Sequence, residues 1–108
     1  MPFLPLSSSS ELEAALDHSE RESVVLFKHS SSCPISAGAH ASIKPLADQV
    51  PIYKLTVQQS RELSRKIADE LEVRHESPQA LVIKDRKVTF DTSHGRVTAD
   101  TLSSELAS

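Results

Sequence analysis

Ser23-Val24-Val25-Leu26-Phe27-Lys28-His29-Ser30-Ser31-Ser32-Cys33-Pro34-Ile35-Ser36 is the stretch on which the fold turns. Residues 23–28 are short, apolar and β-branched, bounded by charge, which is the pattern of a strand buried on both faces and so central in its sheet. His29-Ser30-Ser31-Ser32 reads as a polar loop. Cys33-Pro34 then opens a helix, because a proline is tolerated in a first helical turn. A strand, a loop and a helix in this order place Cys33 in the first turn, where unpaired backbone donors and the positive end of the helix dipole favour a thiolate. Many lone cysteines are merely small buried hydrophobes; placement and neighbours make this one a candidate nucleophile.

Downstream, the helix opened by Cys33 is expected to run to about Val50, with a kink near Ile43 or a break, because Pro45 lacks a donor and crowds the preceding turn. Pro51–Val57 reads as a second strand. Ser60-Arg61-Glu62-Leu63 starts a helix whose Leu63, Ile67 and Leu71 share one face. Ser77-Pro78 precedes Ala80–Ile83, and Lys87–Phe90 follows after Asp85-Arg86, a connection suited to an antiparallel hairpin. A last helix begins near Thr98, with Leu102 and Leu106 four apart. Upstream, the serines at 7–10 followed by Glu11-Leu12-Glu13 mark a helix start, giving a helix from about Ser10 to Ser19.

The resulting order is αβαβαββα: an α/β chain with a central mixed sheet of about four strands flanked by helices, built from parallel crossovers and closed by a hairpin. A cysteine after the first long strand and a Ser-Pro before the hairpin select the thioredoxin-like plan among small α/β layers. With 108 residues and 38% hydrophobic content, the chain is expected to form one domain over residues 1–108. Twelve basic and fifteen acidic residues are interspersed to a net charge of -3, with no cluster to attract nucleic acid or an anionic membrane. No stretch approaches the ~20 apolar residues of a membrane span. Met1-Pro2-Phe3-Leu4-Pro5-Leu6 lacks both the basic region and the apolar core of a leader. A cytoplasmic protein is expected, and a single cysteine, which excludes an internal disulfide, fits a reducing compartment.

Ser36 stands three residues after Cys33, where dithiol oxidoreductases carry a resolving cysteine. A hydroxyl cannot resolve a mixed disulfide; it can donate to the thiolate or satisfy backbone, and both readings stand. Cys33 would then be regenerated by a thiol from another molecule, so the natural reaction is attack on a mixed disulfide between a protein and a small thiol. His29 and His75 are candidates to raise the acidity of the thiol or to protonate a leaving thiol, with His75 preferred. Either could equally be a loop histidine bonded to backbone or water. His18, His40 and His94 read as surface or structural. Metal-ligand spacings are absent, so no metal site is expected.

Phe27-Lys28-His29-Ser30, Ser32-Cys33-Pro34-Ile35-Ser36, Arg61-Glu62-Leu63-Ser64, His75-Glu76-Ser77-Pro78-Gln79 and Ser93-His94 together resemble the monothiol bacilliredoxins, the YtxJ-like group of the bacillithiol system, over nearly the whole chain. Ser32 departs from the threonine that commonly precedes the cysteine and keeps the hydroxyl. The resemblance implies a thioredoxin fold and removal of bacillithiol, a small thiol co-substrate, from S-bacillithiolated client proteins, by a monomer without a tightly bound cofactor. It makes Cys33 the nucleophile, with Ser36 and His75 beside it in catalysis. Ser77-Pro78 becomes the loop facing Cys33, with Pro78 after a cis bond, a form that only X-Pro bonds adopt at small cost. Lys28, His29, Pro34, Ser77 and Pro78 become the substrate-binding set. Bacillithiol ends in a carboxylated malate, for which Lys28 and Arg74 are candidate cations by position; solvated surface charge is the ordinary alternative for both. Ser93, His94 and Gly95, bordering the last helix, are a further candidate for a carboxylate.

Two other functions fit the same residues. One is a non-catalytic binding module whose groove beside Ser77-Pro78 docks a partner peptide. The other is an iron–sulfur carrier of the monothiol glutaredoxin type, although the Cys-Gly-Phe-Ser motif of that group is absent.

Overall fold

The computed structural model describes residues 3–107; Met1 and Pro2 of the N-terminal hexapeptide, and Ser108, lie outside the described residues. Along the chain run β1 (Leu4–Pro5), α1 (Ser9–His18), β2 (Val24–His29), α2 (Pro34–Ile43), β3 (Ile52–Thr56), α3 (Arg61–Glu70), β4 (Gln79–Lys84), β5 (Lys87–Ser93) and α4 (Ala99–Leu106). The strands form one sheet in the order β1-β3-β2-β4-β5. β3 is parallel to β1 and β2, β4 is antiparallel to β2, and β5 is antiparallel to β4. This is the expected α/β plan with β2 at its centre.

Alternation along β2 sorts the core into two layers, because successive side chains of a strand point to opposite faces. Val24 and Leu26 pack with Leu12, Leu16, Leu63 and Ile67 from α1 and α3. Val25 and Phe27 pack on the other face with Ala39, Ile43 and Leu102 from α2 and α4. β2 is buried from Val24 to Lys28, as a strand covered on both sides must be.

One element was not expected, and one expected break is located. The sheet has a fifth strand, β1, with Leu4 opposite Tyr53 and Pro5 opposite Lys54. A two-residue segment that includes a proline carries no strand signal, yet Pro5 is tolerated there because β1 is an edge strand. The long helix after Cys33 ends at Ile43, and Lys44–Asp48 continues as a 3-10 helix with Pro45 in its first turn. This is the break that a proline without a donor dictates.

The β4–β5 hairpin turns on Asp85 and Arg86, both left-handed with φ of 52° and 65°, the geometry of a two-residue hairpin that usually takes asparagine and glycine. Neither residue has glycine's freedom, so the turn is held from outside. Ser19, fully buried, accepts from Asp85 N at its carbonyl (2.8 Å) and from Arg86 N at its hydroxyl (2.8 Å). The Arg86 guanidinium reaches Asp17 and Glu13 on α1. Ser19→Ala leaves a hydrogen-bonding group in the turn unsatisfied, so we expect a loss of about 1–3 kcal/mol in stability. Urea denaturation would register it as a lower midpoint with unchanged slope.

Candidate active site around Cys33

The C-terminal ends of β2 and β3 and the start of β4 meet at one edge of the sheet, with His29 opposite Thr56 and Lys28 opposite Gln79. The Cys33 loop, the β3–α3 connection and the segment before Pro78 all leave from that edge. Val57 N donates to His29 O at 2.9 Å. Gln58 then accepts from Ser31 N (3.1 Å) and donates to Ser30 Oγ (2.7 Å) and Ser32 Oγ (3.1 Å). One amide side chain thus braces the whole serine loop from the neighbouring strand end.

Cys33 is the N-cap of α2, with extended backbone (φ -106°, ψ 122°), one position ahead of the expected first turn. Its thiol is free and the residue is partly exposed. Pro34 occupies the first helical turn and is exposed. Ile35, 52% exposed, is the large exposed hydrophobe among the described residues. A sulfur flanked by Pro34 and Ile35 is open to an approaching chain.

Ser36 is fully buried. Its Oγ accepts from Ser30 N at 2.8 Å and lies 2.9 Å from His29 Nδ1. The hydroxyl thus satisfies the loop backbone and contacts His29, the backbone-satisfying role that was one of the two readings for Ser36. It ties the loop before Cys33 to the first turn after it. The His29 ring packs at a tilt against His40, with ring centroids 4.9 Å apart, and against Phe27 at 5.6 Å. His40 Nε2 accepts from Lys54 Nζ at 3.3 Å. Burial, and then the neighbouring His40 and Lys54, push the imidazole of His29 below its ordinary value. His40 is lowered by burial and by Lys54 and Lys44.

Lys28 leaves β2 on the opposite face from His29. It is 1% exposed, so its expected role as a solvent-facing cation for a substrate carboxylate is corrected. Its Nζ donates to Ser64 O of α3 at 3.0 Å and to His75 Nδ1 at 3.1 Å. Ser64 Oγ lies 3.2 Å from the same nitrogen. His75 is thus engaged through Nδ1 with Lys28 and Ser64. Burial pushes the Lys28 ammonium from 10.5 down to about 8. His75 is lowered by burial and then by Lys28.

The Ser77-Pro78 bond is cis, as expected. Pro78 is buried and Ser77 half-buried, and the Ser77 hydroxyl oxygen has no hydrogen-bond partner among the described residues. Gln79 Nε2 donates back to Arg74 O at 2.8 Å, and His94 N donates to Pro78 O at 2.9 Å, so the loop is held from both sides. Arg74 has a 91% exposed side chain near Glu76, an ordinary surface charge. Ser93, His94 and Gly95 do not border the last helix: His94–Arg96 forms a separate 3-10 turn, and α4 starts later with Thr98 already capping Thr101 N. His18 bonds Tyr53 Oη (3.0 Å) and Glu22 (2.8 Å), and His94 bonds Glu76 (3.1 Å), all structural ties. No helix among the described residues is long and apolar enough to cross a membrane.

Gln58 and Ser64 are the site residues missing from the sequence reading. Gln58 carried no signal, being one of two adjacent glutamines in a connection. Ser64 carried a faint one, because a polar residue beside Leu63 on the inward face of a helix needs a buried partner.

Known proteins similar to this chain share its fold. Residues 4–102 match the family model described as monothiol bacilliredoxin BrxC. A solved structure described provisionally as an oxidoreductase with a thioredoxin fold is 33% identical, over 94% of this chain and 90% of its own, with a TM-score of 0.85. Thioredoxin of Fasciola hepatica is 19% identical over 97% of each chain at a TM-score of 0.77. Thioredoxin f of spinach chloroplast is 18% identical, over 98% of this chain and 91% of its own, at 0.75. These last two show the fold.

Lys28 makes stability depend on pH. Between pH 8 and 10.5 the folded protein has released the Lys28 proton while the unfolded chain still holds it, so folding stability rises with pH across that window. We expect the wild type to gain on Lys28→Met by up to about 3 kcal/mol from pH 8 to pH 10.5. Chemical denaturation of both proteins at several pH values would give the difference; a flat difference would contradict it.

Proposed function

Since the chain belongs to the monothiol bacilliredoxin family, we propose that it removes bacillithiol from S-bacillithiolated proteins in the cytoplasm, acting as a monomer through Cys33. Thiol–disulfide exchange is the redox chemistry that family and fold have in common, and the choice of bacillithiol as the small thiol is our reading. The Cys33 thiolate attacks the bacillithiol sulfur of the mixed disulfide. A bond forms between that sulfur and Cys33 Sγ, the disulfide bond between it and the client's cysteine sulfur breaks, and the client leaves as a thiolate that takes a proton from water. A second thiol, by the same displacement, lifts bacillithiol from Cys33 as a new disulfide and returns the Cys33 thiolate. No net oxidation of the protein occurs over the cycle.

The observation that carries this reading is the pairing of a partly exposed Cys33 with a buried Ser36. The chain has one cysteine, and the position at which a partner thiol would sit is filled by a hydroxyl committed to Ser30 and His29. A captured small thiol can therefore leave only by an external thiol. Exposed Pro34 and Ile35 beside the sulfur, and the cis-proline loop at the same sheet edge, suit an extended client segment laid across the site.

Mass spectrometry tests this on purified protein mixed with a bacillithiolated model protein. We expect the bacillithiol mass to appear on Cys33 with release of the model protein, and both to vanish in Cys33→Ala. Equal, slow reaction with glutathionylated and bacillithiolated substrates, or none with either, would turn the reading towards a binding module.

A further inference from the structure

A hollow of about 150 Å³ opens on the α3 side of the sheet edge, lined by Val57, Arg61, Ser64, Arg65 and His75. Arg61 and Arg65 are one helical turn apart on α3 and so share a face. Both are exposed, and neither has an acidic partner at ion-pair distance among the described residues. Glu76, the carboxylate that acts on His75, is already engaged by His94 and Arg74. Beneath the hollow lies Lys28, likewise without a carboxylate partner. A buried ammonium with only neutral acceptors leaves its charge uncompensated within the chain.

The buried network also fixes what His75 offers. An ammonium has no lone pair, so a hydrogen bond from Lys28 Nζ to His75 Nδ1 makes that nitrogen an acceptor and leaves the ring proton on Nε2. His75 is otherwise exposed, so the wall of the hollow carries an N–H donor beside two guanidinium forks. Planar forks of this kind match carboxylates bidentately.

The hollow is tied to the nucleophile. Val57, in its wall, bonds His29 four residues before Cys33. Arg61 also lines a broader depression of about 670 Å³ together with Gln58, the residue that bonds Ser32 next to Cys33. We infer that this hollow, lined by Arg61, Arg65 and His75, is the carboxylate subsite for the small thiol carried on Cys33, and takes the dicarboxylate end of bacillithiol. This rests on the proposed bacillithiol chemistry, and it moves the anion site from Arg74 and the last helix to α3.

The test uses probes that bind without exchanging: S-methyl bacillithiol, a thioether, and its malyl dimethyl ester. Each is titrated into the full-length protein and followed by 1H–15N NMR. We expect the free acid to shift the Arg61, Arg65 and His75 resonances and to bind at least 10-fold more tightly than the ester. Arg61→Gln with Arg65→Gln, both on the exposed face of α3, should bind acid and ester alike while keeping the wild-type amide pattern elsewhere. Equal binding of acid and ester to the wild type, shifts centred away from α3, or no binding of the acid would each overturn the subsite. Because the thioether cannot exchange, its binding is read apart from sulfur transfer: binding in the hollow, with no transfer to Cys33 from the bacillithiolated model protein by mass spectrometry, would remove the proposed reaction and leave the subsite standing. Transfer without a carboxylate preference would do the reverse.

Discussion

The strict two-residue period of β2 is the constraint on which the rest depends. Val24, Leu26 and Lys28 must face one way and Val25, Phe27 and His29 the other. The apolar members of each set nucleate a core layer with two helices. The polar residue at the end of each set is then delivered into a different environment: Lys28 beneath α3 and the cis-proline loop, His29 against the first turn of α2. Two adjacent residues thereby brace the two elements that flank the sulfur. A one-residue slip of register would exchange them and place an ammonium against α2.

Much of this organisation was legible in the amino-acid order. β2 announced itself by an apolar run too short for a helix, α3 by Leu63 and Ile67 on one face, and the break after Ile43 by Pro45. Cys33 could be placed at a helix start because proline follows it. These are local signals, and local physics writes them. β1 was illegible because two residues, one of them a proline, gain strand character only from Tyr53 and Lys54, some fifty positions on.

The roles of side chains were harder to read, for the same reason. Lys28 looks like any other surface lysine until the sheet brings Ser64 and His75 to its nitrogen from 36 and 47 residues away. Ser36 sits in a first helical turn, where a serine commonly bonds nearby backbone; that it reaches Ser30 across the loop depends on the loop's path. In both cases the residue type narrowed the chemistry to hydrogen bonding, and tertiary placement chose the partner. Burial then did what composition could not show, lowering the affinity of Lys28 for its proton.

The short β1 has a consequence for how the protein behaves among its own copies. An edge strand is a template on which another chain can extend the sheet. Here one border of the sheet is two residues long, and one of them is Pro5, exposed and without an N–H to offer. A border this short offers a second copy of the chain little backbone along which to continue the sheet on this side.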